Sequence, residues 1–476
     1  MNQKREKQFF ILLTIFYVLL IGFLFFCHEN WRDEAQAYLL CRDMNLFDLI
    51  KNVSYEGHPI FYYLLLFPFV KLGMGPKIVN IISLLFMTMS VILIFFQSEL
   101  HPLQKISLVI SYPVLYEYSV IGRSYSLVFF LLVCYGILYS KRREHPILLS
   151  LILGLLWNTH LLLSGFVGIQ SIFLLKEYFQ NKNMLKEKEK KKIRIAFFLL
   201  FLFGLFFILQ YLPKVFLSDG MSFGDNISFI QILFIGVIFL FNLSCSTNNI
   251  MIIFLIVIVS FLFYQIVKKE KKIPFIYLFS ILFIVGIVSI TLKGISIYIL
   301  SLSFSIYCCC ILMVSNKINS NRIIKYLMIM ISLFSIPILY QIYQLDINSN
   351  YSNSKELSLS MKTIPKDSII LCVSDSICSS VIPYDNHKYY GVRSRDYFTY
   401  IVWNQKREGT ISYSSIYQFI DKNDSIYYLY TGYSKDDDIF LKKIKEKYSL
   451  KKIYQSKVKS YSFENYQLYQ IKKFHS

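Results

Sequence analysis

"HENWRDEAQAYLLCRD", residues 28–43, follows an apolar run at 9–27 that is long enough to cross a bilayer. Charged groups at the mouth of a membrane helix are costly unless they meet water or a partner. Arg32, Asp33 and Glu34 therefore need a reason to stand there. No small-residue cleavage site follows residue 27, so the run reads as a retained first helix and not as a removable leader.

Working outward, further apolar runs occupy residues 78–96, 195–212, 250–267 and 275–292. In a chain of 476 residues that is 55% hydrophobic and 17% charged, they define a polytopic membrane protein. The formal net charge of +20 would suggest nucleic acid in a soluble protein. Here much of the excess falls in short stretches between apolar runs, as the positive-inside rule predicts, and no nucleic-acid partner is expected. The nine cysteines show no metal-ligand spacing. Cys308, Cys309 and Cys310 sit inside an apolar run and read as small apolar fillers. Cys372 and Cys378 could bridge if their domain lies outside the cell, and the sequence leaves that pairing open.

The basic N-terminus, MNQKREKQ, is expected in the cytoplasm, which delivers residues 28–43 to the outer face. Residues 58–71 are apolar but short and read as a helix lying along that surface. Runs at 78–96, 106–120, 126–140, 147–164, 165–175 and 195–212 then alternate in direction. The most basic stretch, "KEKEKKKIR" at 186–194, is read as a cytoplasmic loop. Residues 229–243 read as interfacial, so that the lysines at 268–272 stay cytoplasmic. The runs 250–267, 275–292, 297–314 and 326–343 complete about eleven membrane segments, with the C-terminus outside.

From Asp346 charge density rises and apolar runs shorten. "SIILCVSD" (368–375), "SIYYLYTG" (425–432) and "SFENYQLYQIKK" (462–473) read as strands. "KDDDIFLKKIKEKYS" (435–449) places Ile439, Leu441 and Ile444 at helical spacing. The expectation is mainly α: a transmembrane helical bundle over 1–345, with a small extracytoplasmic α/β domain over 346–476 hanging on the last helix.

This topology gathers polar groups at one face: Arg32, Asp33 and Glu34, then Glu56 and His58, Arg123 and Tyr125, Asn158 and His160, and Lys293. Their convergence from separate stretches points to a site. Each also has a plainer reading. Asp33 and Glu34 suit the cap and first turn of a helix. His58–Pro59 suits a turn that opens one. Arg123 suits snorkelling to headgroups, Lys293 an interface anchor and His160 a structural role near a helix end. Chemically, a carboxylate can take the proton of an attacking hydroxyl, and cationic groups can stabilise a departing phosphate. Together they fit sugar transfer from a lipid-linked phosphate.

The motif "WRDEAQAY" after the first helix, with "EGHPIFYYLLL" about 20 residues later, resembles the GT-C superfamily of integral-membrane glycosyltransferases. The nearest pattern is that of the protein O-mannosyltransferase and aminoarabinose-transferase group, the family 39-like proteins. The resemblance covers residues 1–345 and is strongest over 1–165. It implies a polyprenyl-phosphate sugar donor, an acceptor outside the cytoplasm and an inverting displacement. Asp33 would be the general base, and Glu34 would position the acceptor or support Asp33. His58 before Pro59 matches the family's basic residue before proline. "GRSY" makes Arg123 the candidate for the donor phosphate, with Tyr125 beside it. Arg32, Glu56, His160 and Lys293 complete the expected substrate-binding set. Many relatives carry a late Arg-His pair, where this chain offers Lys293 alone. No cofactor is implied, although Asp33 and Glu34 together suit a divalent ion. The other readings are a transporter or flippase of lipid-linked saccharides, which would place its polar groups nearer the midplane, a polysaccharide polymerase or ligase, and a structural envelope protein.

Overall fold

The computed structural model describes residues 3–56, 58–211, 272–291, 297–318, 322–403 and 409–473. The chain is mainly helical and carries a small C-terminal sheet. Among the described residues four helices are long and apolar enough to cross a membrane: Gln3–Cys27, Ile78–Gln97, Leu161–Met184 and Glu187–Gln210. The expected interfacial segment at 229–243 and the expected span at 250–267 lie outside the described residues, as does Lys293.

Helix α1 (Gln3–Cys27) is apolar around most of its circumference and about 37 Å long, enough for a hydrocarbon core of about 30 Å. After it come α2 (Arg32–Asp43), α3 (Leu46–Asn52) and α4 (Phe61–Lys71). Only 11 residues long, α4 is too short to span and packs on α2. Next, α5 (Ile78–Gln97) lies against α1.

The sequence predicts a single span over 106–120. Instead α6 (Pro102–Val109) ends early, and Pro113–Glu117 forms one turn of π-helix. Pro113 lacks an amide hydrogen and cannot continue the ladder from α6. The run 147–164 is interrupted as well. After α7 (Tyr125–Leu138), α8 (Pro146–Trp157) stops, residues 158–160 leave the helix, and α9 (Ser164–Asn181) resumes beyond a short 3-10 turn. Asn158 turns back on α8, its side-chain amide donating to Gly154 O at 2.9 Å. The basic run 186–194 is no loop. It builds the first turns of α10 (Glu187–Tyr211), with Glu187 and Glu189 at the positive end of the helix dipole.

Farther along, the helix Ile297–Met313 crosses α7, and Arg322–Asn348 packs on α1 and α6. Its last turn carries Asp346, so the compositional boundary at 346 falls inside a helix.

The C-terminal sheet has the order β3-β2-β1-β4-β6-β5. Strands β2 (Lys388–Gly391), β1 (Ile369–Cys372) and β4 (Ile426–Tyr430) run parallel, while β3 (Asp396–Tyr397), β6 (Gln467–Lys473) and β5 (Tyr448–Gln455) add antiparallel edges. Alternation along the strands divides the sheet into two faces. Ile369, Leu371, Tyr428 and Ile471 pack with residues of the helices Tyr413–Lys422 and Lys435–Lys447. Ile370, Cys372, Leu429 and Leu468 belong instead to the apolar core that is continuous with the helices of residues 3–348. The domain therefore does not hang on the last helix; half of its sheet is docked. In Lys435–Lys447 the buried apolar residues are Phe440 and Ile444, and Ile439 is exposed. Cys372 and Cys378 are buried free thiols within hydrogen-bonding reach of each other.

Gly136 lets α7 approach Ile297–Met313 closely: a Cβ there would lie 2.7 Å from Leu312 Cβ and 2.9 Å from Cys309 O. Gly168 on α9 has open space at the same position. Gly136→Ala is therefore expected to destabilise the protein by about 1–3 kcal/mol through overpacking. Gly168→Ala should be neutral or slightly stabilising. Apparent melting temperatures in detergent would check both.

Candidate functional site

Helix α2 begins at Arg32, with Trp31 as its N-cap. Asp33 and Glu34, adjacent in sequence, consequently point to different surroundings. The Glu34 carboxylate reaches back to accept the Trp31 N–H at 3.0 Å, one half of a capping box. It also accepts from Asn80 Nδ2 at 2.6 Å, from the Gly122 N–H and from His28 Nε2 at 3.1 Å. Both oxygens are engaged and the residue is fully buried. Glu34 is thus the first-turn acid that the plainer reading expects, but the N-cap is Trp31 and not Asp33, which lies inside the helix.

His28 extends this network. Its Nδ1 lies 3.3 Å from Asp346 Oδ2, which also accepts from the Tyr116 hydroxyl at 2.6 Å. Lys77 Nζ caps the His28 carbonyl. Burial lowers the His28 pKa, but the charges of Glu34 and Asp346 overcome it and raise the value to about 9. The imidazolium bridges two buried carboxylates, joining the end of α1, the start of α2, α5 and the end of Arg322–Asn348.

Asp33 faces elsewhere and is part-exposed. Its Oδ2 pairs with Arg123 Nη1 at 2.6 Å, and its Oδ1 lies 3.5 Å from Arg32 Nε. Both guanidinium groups lie over the Trp31 ring, at 5.9 Å for Arg123 and 5.7 Å for Arg32. Arg123 also lies 5.3 Å from the Tyr125 ring. Tyr125 in turn stacks on His160 at 5.4 Å, and His160 meets His58 at 4.7 Å. Asp33, Arg123, Tyr125, His58 and His160 thus form one contiguous cluster built from four separate stretches of chain.

The two histidines are set up by helix breaks. His160 Nδ1 accepts the Leu162 N–H at 3.3 Å, so in the neutral ring the proton sits on Nε2. That Nε2–H is buried and has no hydrogen-bond partner among the described residues; the same is true of His58 Nε2. Burial, followed by the Arg123 charge, lowers the His58 pKa to about 3. Burial lowers His160 well below its ordinary value, with His58 and Arg123 adding to the effect. Both rings are neutral at physiological pH. A buried donor without an acceptor is unfavourable and marks a position where a ligand oxygen would be stabilised.

Of the remaining expected residues, Arg32 borders this cluster through Asp33, and Glu56 and Asn158 lie apart from it. Arg32 stacks on Tyr433 at 5.4 Å, toward the C-terminal domain. Glu56 is buried and accepts from Gln36 Nε2 at 2.8 Å. Asn158 holds the entry to α4, its carbonyl accepting the Phe61 N–H at 3.0 Å. Among the described residues no group of three or more His, Cys, Asp or Glu side chains is arranged to hold a metal ion. His28, Asn80, Tyr116 and Asp346 were not legible as partners, since 318 residues separate His28 from Asp346. The one available signal was a histidine directly after the first apolar run.

Compared with protein-family models, curated proteins and solved structures, the chain matches none.

A histidine with a raised pKa stabilises the fold while protonated. For His28 the contribution is complete below the ordinary value of 6.5 and is lost as pH rises toward about 9. Over that window wild type should lose about 3 kcal/mol that His28→Gln does not lose. Melting temperatures of the two proteins, measured in detergent from pH 6 to pH 10, should converge.

Proposed function

We propose that the chain is a membrane glycosyltransferase that moves a sugar from a polyprenyl-phosphate donor to an acceptor hydroxyl outside the cytoplasm. The observation that carries this reading is the 2.6 Å pair between part-exposed Asp33 and Arg123, beside two buried imidazole nitrogens without a hydrogen-bond partner among the described residues.

In the resting site Arg123 neutralises Asp33. A donor phosphate entering next to Tyr125 would compete for the guanidinium, whose planar fork suits phosphate oxygens. The His160 Nε2–H would donate to the same anion or to the sugar. As Arg123 turns toward phosphate, Asp33 keeps only the longer contact with Arg32, at 3.5 Å, and its Oδ2 becomes free to accept a proton. The acceptor oxygen attacks the anomeric carbon from the face opposite the phosphate, and its proton passes to Asp33. The carbon–oxygen bond to phosphate breaks, its electron pair leaves with the polyprenyl phosphate, and the configuration inverts. Arg123 stabilises the charge that develops on the leaving oxygen. Glu34, with both oxygens engaged, acts as support for Asp33 and not as a second base. No step needs a nucleotide or a metal ion supplied by these residues.

Asp33→Asn, tested in membranes with a polyprenyl-phosphate sugar, is expected to lower transfer by about 10²–10⁴-fold while leaving expression and donor binding intact. Arg123→Ala should instead weaken donor binding. Transfer by Asp33→Asn at the wild-type rate would remove Asp33 as the base. Movement of the lipid across vesicles without consumption of the sugar would replace the reading with a flippase.

A further inference from the structure

The C-terminal domain meets the rest of the chain chiefly at α2, the helix that carries Asp33. Gln36 exchanges two hydrogen bonds with the backbone of Ile401, at 2.7 and 3.0 Å. Arg32 lies over Tyr433. A further engagement is at the first residue of the helix. The Arg32 N–H, one of the amides that a helix start leaves without an internal partner, donates to Glu464 Oε1 at 2.8 Å. The capping group thus comes from 432 residues away.

Glu464 is fully buried, and its other oxygen lies 2.5 Å from Ser352 Oγ. The loop that presents it is itself held firmly. Tyr461 N–H and Ser462 N–H donate to Asn350 O and Tyr351 O, at 3.2 and 3.0 Å. Asn465 Oδ1 accepts from the Ser460 N–H at 2.8 Å and from Asn353 Nδ2 at 3.1 Å. Phe463, directly before Glu464, has a φ of 61°, a left-handed conformation that a bulky residue seldom adopts. Such strain persists only where the surroundings over-determine it, and it concentrates where a neighbour must be aimed.

We propose that Glu464 is a positioning residue for the transfer reaction: by accepting the Arg32 N–H it fixes the first turn of α2 and so orients Asp33 toward Arg123. The proposal rests on the reading of Asp33 as the base. It makes the C-terminal domain a working part of the site and not an appended module. Burial raises the Glu464 pKa to about 8, with Ser352 and Arg32 opposing the rise, so near neutral pH much of it is a neutral acid. A glutamine can therefore keep the Arg32 contact through its amide oxygen, while toward Ser352, whose hydroxyl donates to Glu464, its amide N–H would take the donor role.

The test uses full-length wild type, E464Q, E464A and S352A, and reads transfer, donor-lipid binding and hydrogen exchange at the amides of residues 31–36. In E464A transfer should fall about tenfold or more, because misplacement of a reacting group by a fraction of an ångström is costly. Donor affinity should stay within about twofold, since Arg123 and the histidine pair are untouched. Exchange at the Arg32 amide should accelerate. E464Q should match wild type in all three measurements, and S352A should fall between the two variants. A merely structural role would lower donor binding together with transfer. Unchanged exchange at Arg32 in E464A, or equal damage in E464Q and E464A, would overturn the proposal. If wild type itself transfers no sugar, the reading of Asp33 fails, and the exchange measurement alone still decides whether Glu464 fixes the start of α2.

Discussion

One buried carboxylate organises this molecule. Glu34 is out of reach of water, yet four donors converge on it: two backbone amides, the Asn80 side chain and the His28 ring. A buried charge is tolerable only when paired and fully hydrogen-bonded, and removal of one partner leaves the others exposed to the full desolvation cost. Because the donors belong to the end of α1, the loop before α7 and the start of α5, satisfying Glu34 fixes those pieces relative to one another. Asp33, one residue earlier on the helix, is then held at the edge of a rigid frame. The division of labour between neighbouring acids follows from helix geometry. Successive side chains point about 100° apart, so Glu34 faces the core while Asp33 stays part-exposed.

The same helix is gripped from above. Its first amide, its first side chain and Gln36 are engaged by the C-terminal domain, and one face of that domain's sheet shares a core with the helices below. Residues 3–348 and 349–473 therefore meet on the element that carries the proposed base. Asp346, in the last turn before the sheet domain, ties the same region to His28.

The histidine cluster follows a related logic. His58 precedes α4, Arg123 precedes α7, and His160 lies in the gap between α8 and α9. Irregular backbone among membrane helices must be satisfied by protein or must line a cavity. Here Asn158 takes up part of that burden by bonding to Gly154 and Phe203 and accepting from Gln210. Freed from helical hydrogen bonding, the chain can aim polar side chains that a continuous helix would point into lipid.

The sequence alone was sufficient for what depends on local composition: the long apolar helices, the strands β1, β4 and β6, and the convergence of Asp33, Arg123, Tyr125, His58 and His160. Each of these is announced by a run, an alternation or a motif. It missed where the helices break, reading 106–120 and 147–164 as continuous, because hydropathy is blind to backbone hydrogen bonding. It also took the basic run at 186–194 for a loop, although lysine and glutamate are good helix formers. The tertiary structure alone decided that Glu34 is framework and Asp33 is accessible, that His28 reaches Asp346, and that Glu464 caps α2. Those facts depend on which distant groups supply the hydrogen bonds that burial demands, and no local pattern of residues encodes the identity of a partner hundreds of positions away.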